Sequence, residues 1–206
     1  MSFAEASMAI RNGADAIGLV GKMPSGPGPI EDELIASIAR RIPPPIATFL
    51  LTSEQSAEGI ASHINRVHTN TVQIVDELTK GVYADIRKAL PAVRIVQVIH
   101  VMGQESLEEA LRLQNDVDAF LLDSGNPGAT IKTLGGTGNT HDWNISREIV
   151  NKVKVPVFLA GGLNASNVKE AINQVKPFGV DICSGVRTNG KLDEAKLKAF
   201  IDAVRY

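Results

Sequence analysis

Three short stretches carry residue types suited to chemistry. Leu121-Leu122-Asp123-Ser124 ends an apolar run in a carboxylic acid. An acid at the end of such a run is partly desolvated, which raises its pKa and suits it to general-acid work. Leu159-Ala160-Gly161-Gly162-Leu163-Asn164 and Asp181-Ile182-Cys183-Ser184-Gly185-Val186 each end an apolar run in glycine. Glycine lets backbone N–H groups approach an anion closely, and a short helical turn after Gly185 would aim its positive end at the same anion. Tight turns alone also use glycine, but two such loops on successive strands favour phosphate. A further run, Gly135-Gly136-Thr137-Gly138, precedes His141, Asp142 and Trp143. By itself it reads equally well as a flexible loop.

The elements that must position these residues alternate strand and helix. Apolar runs rich in Val, Ile and Leu predict strands at Ala16–Val20, Ile46–Leu51, Thr71–Val75, Arg94–His100, Ala119–Leu122, Val157–Ala160 and Val180–Cys183. Several are continuous rather than alternating, as strands covered on both faces are. Helical spacing falls at Ser2–Asn12, Glu31–Arg41, Leu107–Leu113, Asn167–Val175 after Ser166 as N-cap, and Leu192–Val204. Strand followed by helix means a parallel sheet, and a strand end about every 25 residues is the rhythm of a (β/α)8 barrel. Such a barrel holds its active site at the C-terminal strand ends, often with phosphate after strands seven and eight. The expectation is a phosphate-binding TIM barrel forming a single domain over 1–206. Seven strands are visible where the barrel needs eight, and the chain opens in the helix that follows the first. Either the natural reading frame starts upstream or the protein lacks its first strand.

Composition narrows the function classes. The chain has 206 residues, with Lys+Arg 21 against Asp+Glu 23 and a formal net charge of -2. That balance, with no basic run, argues against a nucleic-acid partner. Hydrophobic residues at 44% supply a core, yet no apolar stretch is long enough to span a bilayer, and no signal peptide opens the chain. A cytoplasmic protein with no membrane association is expected. The one cysteine, Cys183, excludes an internal disulfide and a cysteine-rich zinc site. His63 and His68 lie five apart on a helix, off one face, so no metal site is expected. Pro43–Pro45 reads as a helix-ending turn.

Taken in order, Leu-Leu-Asp-Ser, Gly-Gly-Thr-Gly, Asp-Trp, Leu-Ala-Gly-Gly-Leu-Asn and Pro-Phe-Gly-Val-Asp-Ile-Cys-Ser-Gly-Val resemble phosphoribosylanthranilate isomerase. The likeness is strongest from Val117 to Tyr206 and continues more weakly through Asn12–Val20 and Thr71–Gln73. The resemblance implies a (β/α)8 barrel of tryptophan biosynthesis that performs an Amadori rearrangement on a small phosphorylated substrate, without metal or cofactor. A general acid opens the furanose ring to a Schiff base, and a general base takes the proton from C2′. By motif, Asp123 matches the acid, and Gly136, Gly161, Gly162, Ser184 and Gly185 match the phosphate and substrate loops. Asp181 matches a ligand-facing acid of the last strand.

The chain also departs from that pattern. The family's base is a cysteine in a Lys-Ile-Cys-Gly segment of the first strand, the strand missing here. Gly28, in Gly26-Pro27-Gly28-Pro29-Ile30, stands where a Ser-Pro-Arg segment would place an arginine for the anthranilate carboxylate. Gln73-Ile74-Val75-Asp76 replaces Gln-Leu-His-Gly, and Cys183-Ser184-Gly185-Val186-Arg187 replaces Ser-Ser-Gly-Val-Glu. Cys183 is a base only if its thiol pKa is lowered, and reads more simply as a small buried residue. His100 reads as a structural histidine or a ligand contact, His141 and Trp143 as parts of a packing turn, and Asp76 and Glu77 as solvated loop charges. A different phosphosugar, or phosphate-ligand binding without catalysis, are the alternatives. An open slot in the sheet would leave unpaired edges, so a homodimer or a distorted wall at that slot is expected.

Overall fold

The structure is a computed structural model that describes residues 1–24, 28–125 and 141–205. The chain divides into two compact units, Met1–Gln97 and Val98–Tyr206.

The first unit opens with α1 (Phe3–Arg11). Ser2 caps it reciprocally: its Oγ accepts from the Glu5 N–H at 3.2 Å while the Glu5 carboxylate accepts from the Ser2 N–H at 3.1 Å. Strands β1 (Ala16–Val20), β2 (Ala47–Thr52), β3 (Thr71–Ile74) and β4 (Arg94–His100) follow, with α2 (Asp32–Ala39), α3 (Ala57–Val67) and α4 (Tyr83–Ala89) between them. All pair parallel in chain order, in the registers Ala16↔Ala47, Phe49↔Thr71 and Thr71↔Arg94. Every residue of β3 is buried, as is β4 after Arg94, which accounts for their continuous apolar sequences. Ile35 and Ile38 of α2 and Ile60, Ile64 and Val67 of α3 are buried with Leu19, Leu50, Val72 and Ile95 of the strands. Each such side chain contributes about 1.5–3 kcal/mol.

Strand β4 runs through the boundary. Arg94–Gln97 pair with β3, and Val98–His100 belong to the second unit. There β5 (Ala119–Asp123), β6 (Val157–Leu159) and β7 (Gly179–Val180) pair parallel in chain order, with Leu122↔Leu159 and Leu159↔Val180 in register. Helices α5 (Glu105–Leu113), α6 (Trp143–Lys152), α7 (Val168–Val175) and α8 (Glu194–Arg205) complete the unit. A 3-10 turn at Ser184–Val186 leads into a hairpin, β8 (Arg187–Thr188) with β9 (Lys191–Leu192). Its two-residue loop has positive φ at Asn189 (50°) and Gly190 (77°), the backbone that a tight hairpin requires. Among the described residues no helix is long and apolar enough to cross a membrane.

Several boundaries differ from the sequence expectation. The strand expected at Val180–Cys183 is Gly179–Val180 only, and Asp181–Cys183 lead from it to the 3-10 segment at Ser184. Ser166 does not cap α7. It donates instead to the side-chain oxygen of Asn164, and Asn167 takes the cap position. Helix α5 starts at Glu105, with Ser106 inside it, donating to the His100 carbonyl at 3.2 Å. Asp76 is not a solvated loop charge. It is buried, its Oδ1 accepts from the Glu77 N–H at 2.9 Å, and its carbonyl accepts from the Gln97 amide at 3.2 Å. Glu77 is exposed, as expected.

One polar chain ties α2 and α3 to the end of β2. His63 Nε2 lies 2.9 Å from Asp32 Oδ1, so this nitrogen carries the proton and donates. Its Nδ1 lies 3.1 Å from the Thr52 hydroxyl oxygen, and Thr52 Oγ1 accepts from the Glu54 N–H at 3.2 Å. Arg66 Nε donates to the other Asp32 oxygen at 2.9 Å. A Cβ on buried Gly21 would sit 2.7 Å from His63 Cε1, so the turn after β1 closes over the ring only because residue 21 is glycine. Desolvation acts to raise the Asp32 pKa, but the Arg66 and His63 hydrogen bonds outweigh it and hold the carboxyl below its ordinary 3.8. A depressed carboxylate stabilises the fold above the unfolded pKa, and that stability is lost as pH falls through the folded value. Asp32→Asn is therefore expected to cost about 1–2 kcal/mol at pH 7, measured by urea denaturation. The gap from the parent should close below pH 3.8.

Candidate active site

The candidate site lies in the second unit, where β5, β6 and β7 end. Asp123 is the last residue of β5 and is buried. Its Oδ1 accepts from the Ser124 N–H at 2.7 Å, and its carbonyl accepts from the Val101 N–H at 2.9 Å, which joins it to the end of β4 beside buried His100. Beyond the strands the ladder continues for one more residue. Ala160 N–H donates to the Leu122 carbonyl and Asp181 N–H to the Leu159 carbonyl, both at 2.8 Å. Asp123, Ala160 and Asp181 therefore form one row across three neighbouring chain segments.

Asp181 is solvent-exposed as a residue, yet protein atoms crowd its carboxyl. That crowding, together with the charge of Asp123, pushes its pKa up to about 6, partly relieved by the Ile182 N–H. Desolvation holds the half-buried His141 imidazole below its ordinary 6.5, against the opposing pull of Asp123 and Asp142. His141 is thus neutral at pH 7. Its Nε2 lies 2.7 Å from the hydroxyl of buried Ser146, and its Nδ1 is buried with no partner among the described residues.

The glycines have two different physical jobs. Gly161 and Gly162 adopt positive φ, 82° and 63°, which L side chains rarely take. A Cβ on Gly161 would also lie 3.1 Å from His141 Nδ1 and 3.1 Å from the Ser124 N and Oγ. The Gly162 carbonyl accepts from the Asn167 amide at 3.0 Å, and Asn164 N–H donates to Asn167 Oδ1 at 2.8 Å, fastening the loop to the start of α7. Gly185 needs space instead, since a Cβ there would run into the Leu163 carbonyl oxygen. The two glycine loops are thereby pressed together. Among the described residues, no group accepts the backbone N–H of Gly161, Gly162, Ser184 or Gly185. The last two head the 3-10 turn, where orphan donors are left.

The structure brings together Asp123, Asp181, Gly161, Gly162, Ser184 and Gly185. Gly136 lies outside the described residues, as do Gly26 and Pro27. Cys183 is exposed, not a small buried residue, and belongs to the turn beyond β7. Gly28 has φ 99°, a backbone that disfavours any side chain. His141 is the residue that sequence reasoning undervalues. The one available signal is its place directly before Asp142, the side-chain N-cap of α6, which accepts from the Asn144 N–H at 2.8 Å.

A family model described as N-(5′-phosphoribosyl)anthranilate (PRA) isomerase matches residues 20–203. The N-(5′-phosphoribosyl)anthranilate isomerase 2 of Methanosarcina mazei is 39% identical over 199 residues, covering 96% of this chain and 87% of the relative. The crystal structure of phosphoribosylanthranilate isomerase from Thermotoga maritima superposes with a TM-score of 0.82 at 29% identity, over 100% of this chain and 95% of the other. A phosphoribosylanthranilate isomerase crystallised with reduced 1-(o-carboxyphenylamino)-1-deoxyribulose 5-phosphate gives 0.79 at 26% identity, over 99% and 94%. The α/β fold, the matched span and the relatives agree, and the chain belongs to the phosphoribosylanthranilate isomerase family.

Proposed function

We propose that this chain isomerises N-(5′-phosphoribosyl)anthranilate to 1-(o-carboxyphenylamino)-1-deoxyribulose 5-phosphate, the Amadori step of tryptophan biosynthesis, in the cytoplasm. In this reading its strands are the second to eighth of a phosphate-binding (β/α)8 barrel. The observation that carries it is the buried Asp123, in one row with the residues that follow β6 and β7, together with the backbone N–H groups of Gly161, Gly162, Ser184 and Gly185, which have no acceptor among the described residues. Those donors take the 5′-phosphate. Anchoring that end sets the furanose oxygen within reach of Asp123, which protonates it and opens the ring to the Schiff base. Loss of the C2′ proton then gives the enolamine, which tautomerises to the ketose.

One observation favours a second reading, a different phosphosugar. Gly28 occupies the position that matches the family's carboxylate-binding arginine, and its positive φ suits no side chain.

Turnover assays separate the readings. The parent chain is expected to convert phosphoribosylanthranilate, and Asp123→Asn to lower kcat by about 10²–10⁴-fold while the affinity for inorganic phosphate stays. Turnover of another phosphosugar alone establishes the second reading. Phosphate binding without any turnover makes the protein a binder. Complementation of an isomerase-deficient tryptophan auxotroph makes the same distinction in cells, and an upstream-extended chain beside the present one tests for a missing first strand.

The homodimer belongs to the same reading. Phe178 is 72% exposed just before β7, the terminal strand of its sheet, with the Phe158 ring edge-on at 5.5 Å. The Thermotoga maritima isomerase is itself described as dimeric. Sedimentation at micromolar concentration is expected to show a dimer, and Phe178→Asp a monomer with its activity retained.

A further inference from the structure

We infer that His100 is a ligand-binding residue of this site, its imidazole holding the 2′-oxygen of a 5′-phosphoribosyl group. The inference rests on the reading above, which seats the 5′-phosphate on the glycine loops and the ring oxygen at Asp123.

The register carries it, within the second unit. Ala160 N–H donates to the Leu122 carbonyl where Leu122 pairs with Leu159. Asp181 N–H donates to the Leu159 carbonyl where Leu159 pairs with Val180. In each case the donor stands one residue past the register partner. Val101 N–H donates to the Asp123 carbonyl in the same way, so His100 is the partner of Asp123. The row therefore has a fourth member and runs His100, Asp123, Ala160, Asp181. Register partners in a parallel sheet share a face, so the imidazole and the acid stand on one side, their backbones about 4.8 Å apart. Both are buried, yet both keep a little surface, 8% for His100 and 9% for Asp123.

The backbone under His100 is fixed from α5. The hydroxyl of buried Ser106 donates to the His100 carbonyl and accepts from the Met102 N–H, both at 3.2 Å. One side chain thus spans the turn that follows β4. The ring buries its Nδ1, which leaves Nε2 as the edge for a ligand. A contact residue held on such a frame loses little freedom when the ligand arrives.

The order along the row matches the order along the ligand. The glycine loops follow Ala160 and Asp181 at one end, Asp123 lies next, and His100 is the other end. In a 5′-phosphoribosyl group the phosphate hangs on C5′, the ring oxygen joins C4′ to C1′, and O2′ lies beyond it on C2′. A ligand with its phosphate on the loops and its ring oxygen at Asp123 brings O2′ toward the end of β4. A hydroxyl donates and accepts, as a neutral imidazole does. O2′ is also the oxygen that becomes the ketone of the product. An imidazole N–H donates to an alcohol and to a ketone alike, so the contact lasts through the reaction. His100 takes no proton in this account and reads the sugar, not the group on C1′.

The test uses the full chain and three probes in calorimetric titrations: inorganic phosphate, methyl riboside 5-phosphate, whose ring stays closed, and its 2-deoxy analogue. The parent should bind the riboside about 3–10-fold more tightly than the 2-deoxy analogue. His100→Leu should bind both sugars equally, with the Kd for inorganic phosphate unchanged, and kcat/KM for phosphoribosylanthranilate should fall by a similar factor. His100→Gln, which keeps an N–H at the Nε2 position, should restore the preference. Circular dichroism verifies folding. A folded His100→Leu that still prefers the riboside overturns the proposal, as does a loss shared equally by all three probes, the mark of a structural role. A parent that binds phosphate but does not distinguish the two sugars overturns it without any variant. A parent that distinguishes them but does not turn over phosphoribosylanthranilate overturns the isomerase reading and supports the His100 contact.

Discussion

The parallel hydrogen-bond register at the ends of β5, β6 and β7 governs everything else in the site. Side chains alternate faces along a strand, so a slip of one residue would send Asp123 and Asp181 to opposite sides from those they occupy. The bonds that prevent this lie just outside the regular strands, from the Ala160 and Asp181 N–H groups and from Val101 to the Asp123 carbonyl. They are backbone contacts, and no side-chain chemistry is needed to make them. What the side chains add is permission. Gly161 lets β6 leave against Ser124, and Gly185 lets the last turn touch Leu163. The row of Asp123, Ala160 and Asp181 is the direct result of that register.

Electrostatically the site is an accumulation of carboxyls without a matching cation among the described residues. Such an arrangement costs stability in the ionised state. The elevated Asp181 pKa gives this cost a sign. The folded chain holds that proton more tightly than the unfolded chain, so this group's contribution falls as pH rises from 3.8 to about 6. Neutral His141 fits the same picture. Burial keeps it uncharged even though Asp123 and Asp142 both favour its protonation, so it leaves Asp123 without a fixed counter-ion. In the proposed role of general acid, Asp123 is better served by that arrangement than by a salt bridge, which favours the ionised form. Asp32 shows the opposite case. There Arg66 and His63 hold the carboxylate charged, and it serves as a tie between helices.

The parallel strands are visible in the sequence because burial on both faces writes itself as unbroken Val, Ile and Leu. Asp123 stands out for the same reason, as an acid ending such a run. The glycine pairs are visible because few residues tolerate those backbones. Other features leave weaker marks. Helix α4 buries only Tyr83 and Ile86 and so has little periodicity to detect. Helix α6 opens with Trp143 and Asn144, which read as a turn. Gly185 packs against Leu163, more than twenty residues away, a contact that no local pattern encodes. Asp76 reads wrongly as a loop charge because its burial is made acceptable by partners such as Gln97, distant in sequence. His141 acquires its meaning from Gly161 and Ser124, again through space.

These distinctions bear on how the site chooses its ligand. In the proposed reading the anion end is built from backbone, the N–H groups of Gly161, Gly162, Ser184 and Gly185, in loops held by the Asn167 amide and by close packing on Leu163. Backbone donors read a phosphate but not what it is attached to. In the proposed reaction Asp123 acts on the ring oxygen, which many phosphosugars share. Neither group distinguishes an anthranilate from another substituent. Discrimination must therefore come from side chains around the far end of the ligand, and a buried carboxylate there would require a bidentate cation to offset its desolvation. Gly28, with a backbone that suits no side chain, cannot be that cation. Substrate identity accordingly rests on a part of the protein separate from the row that does the chemistry.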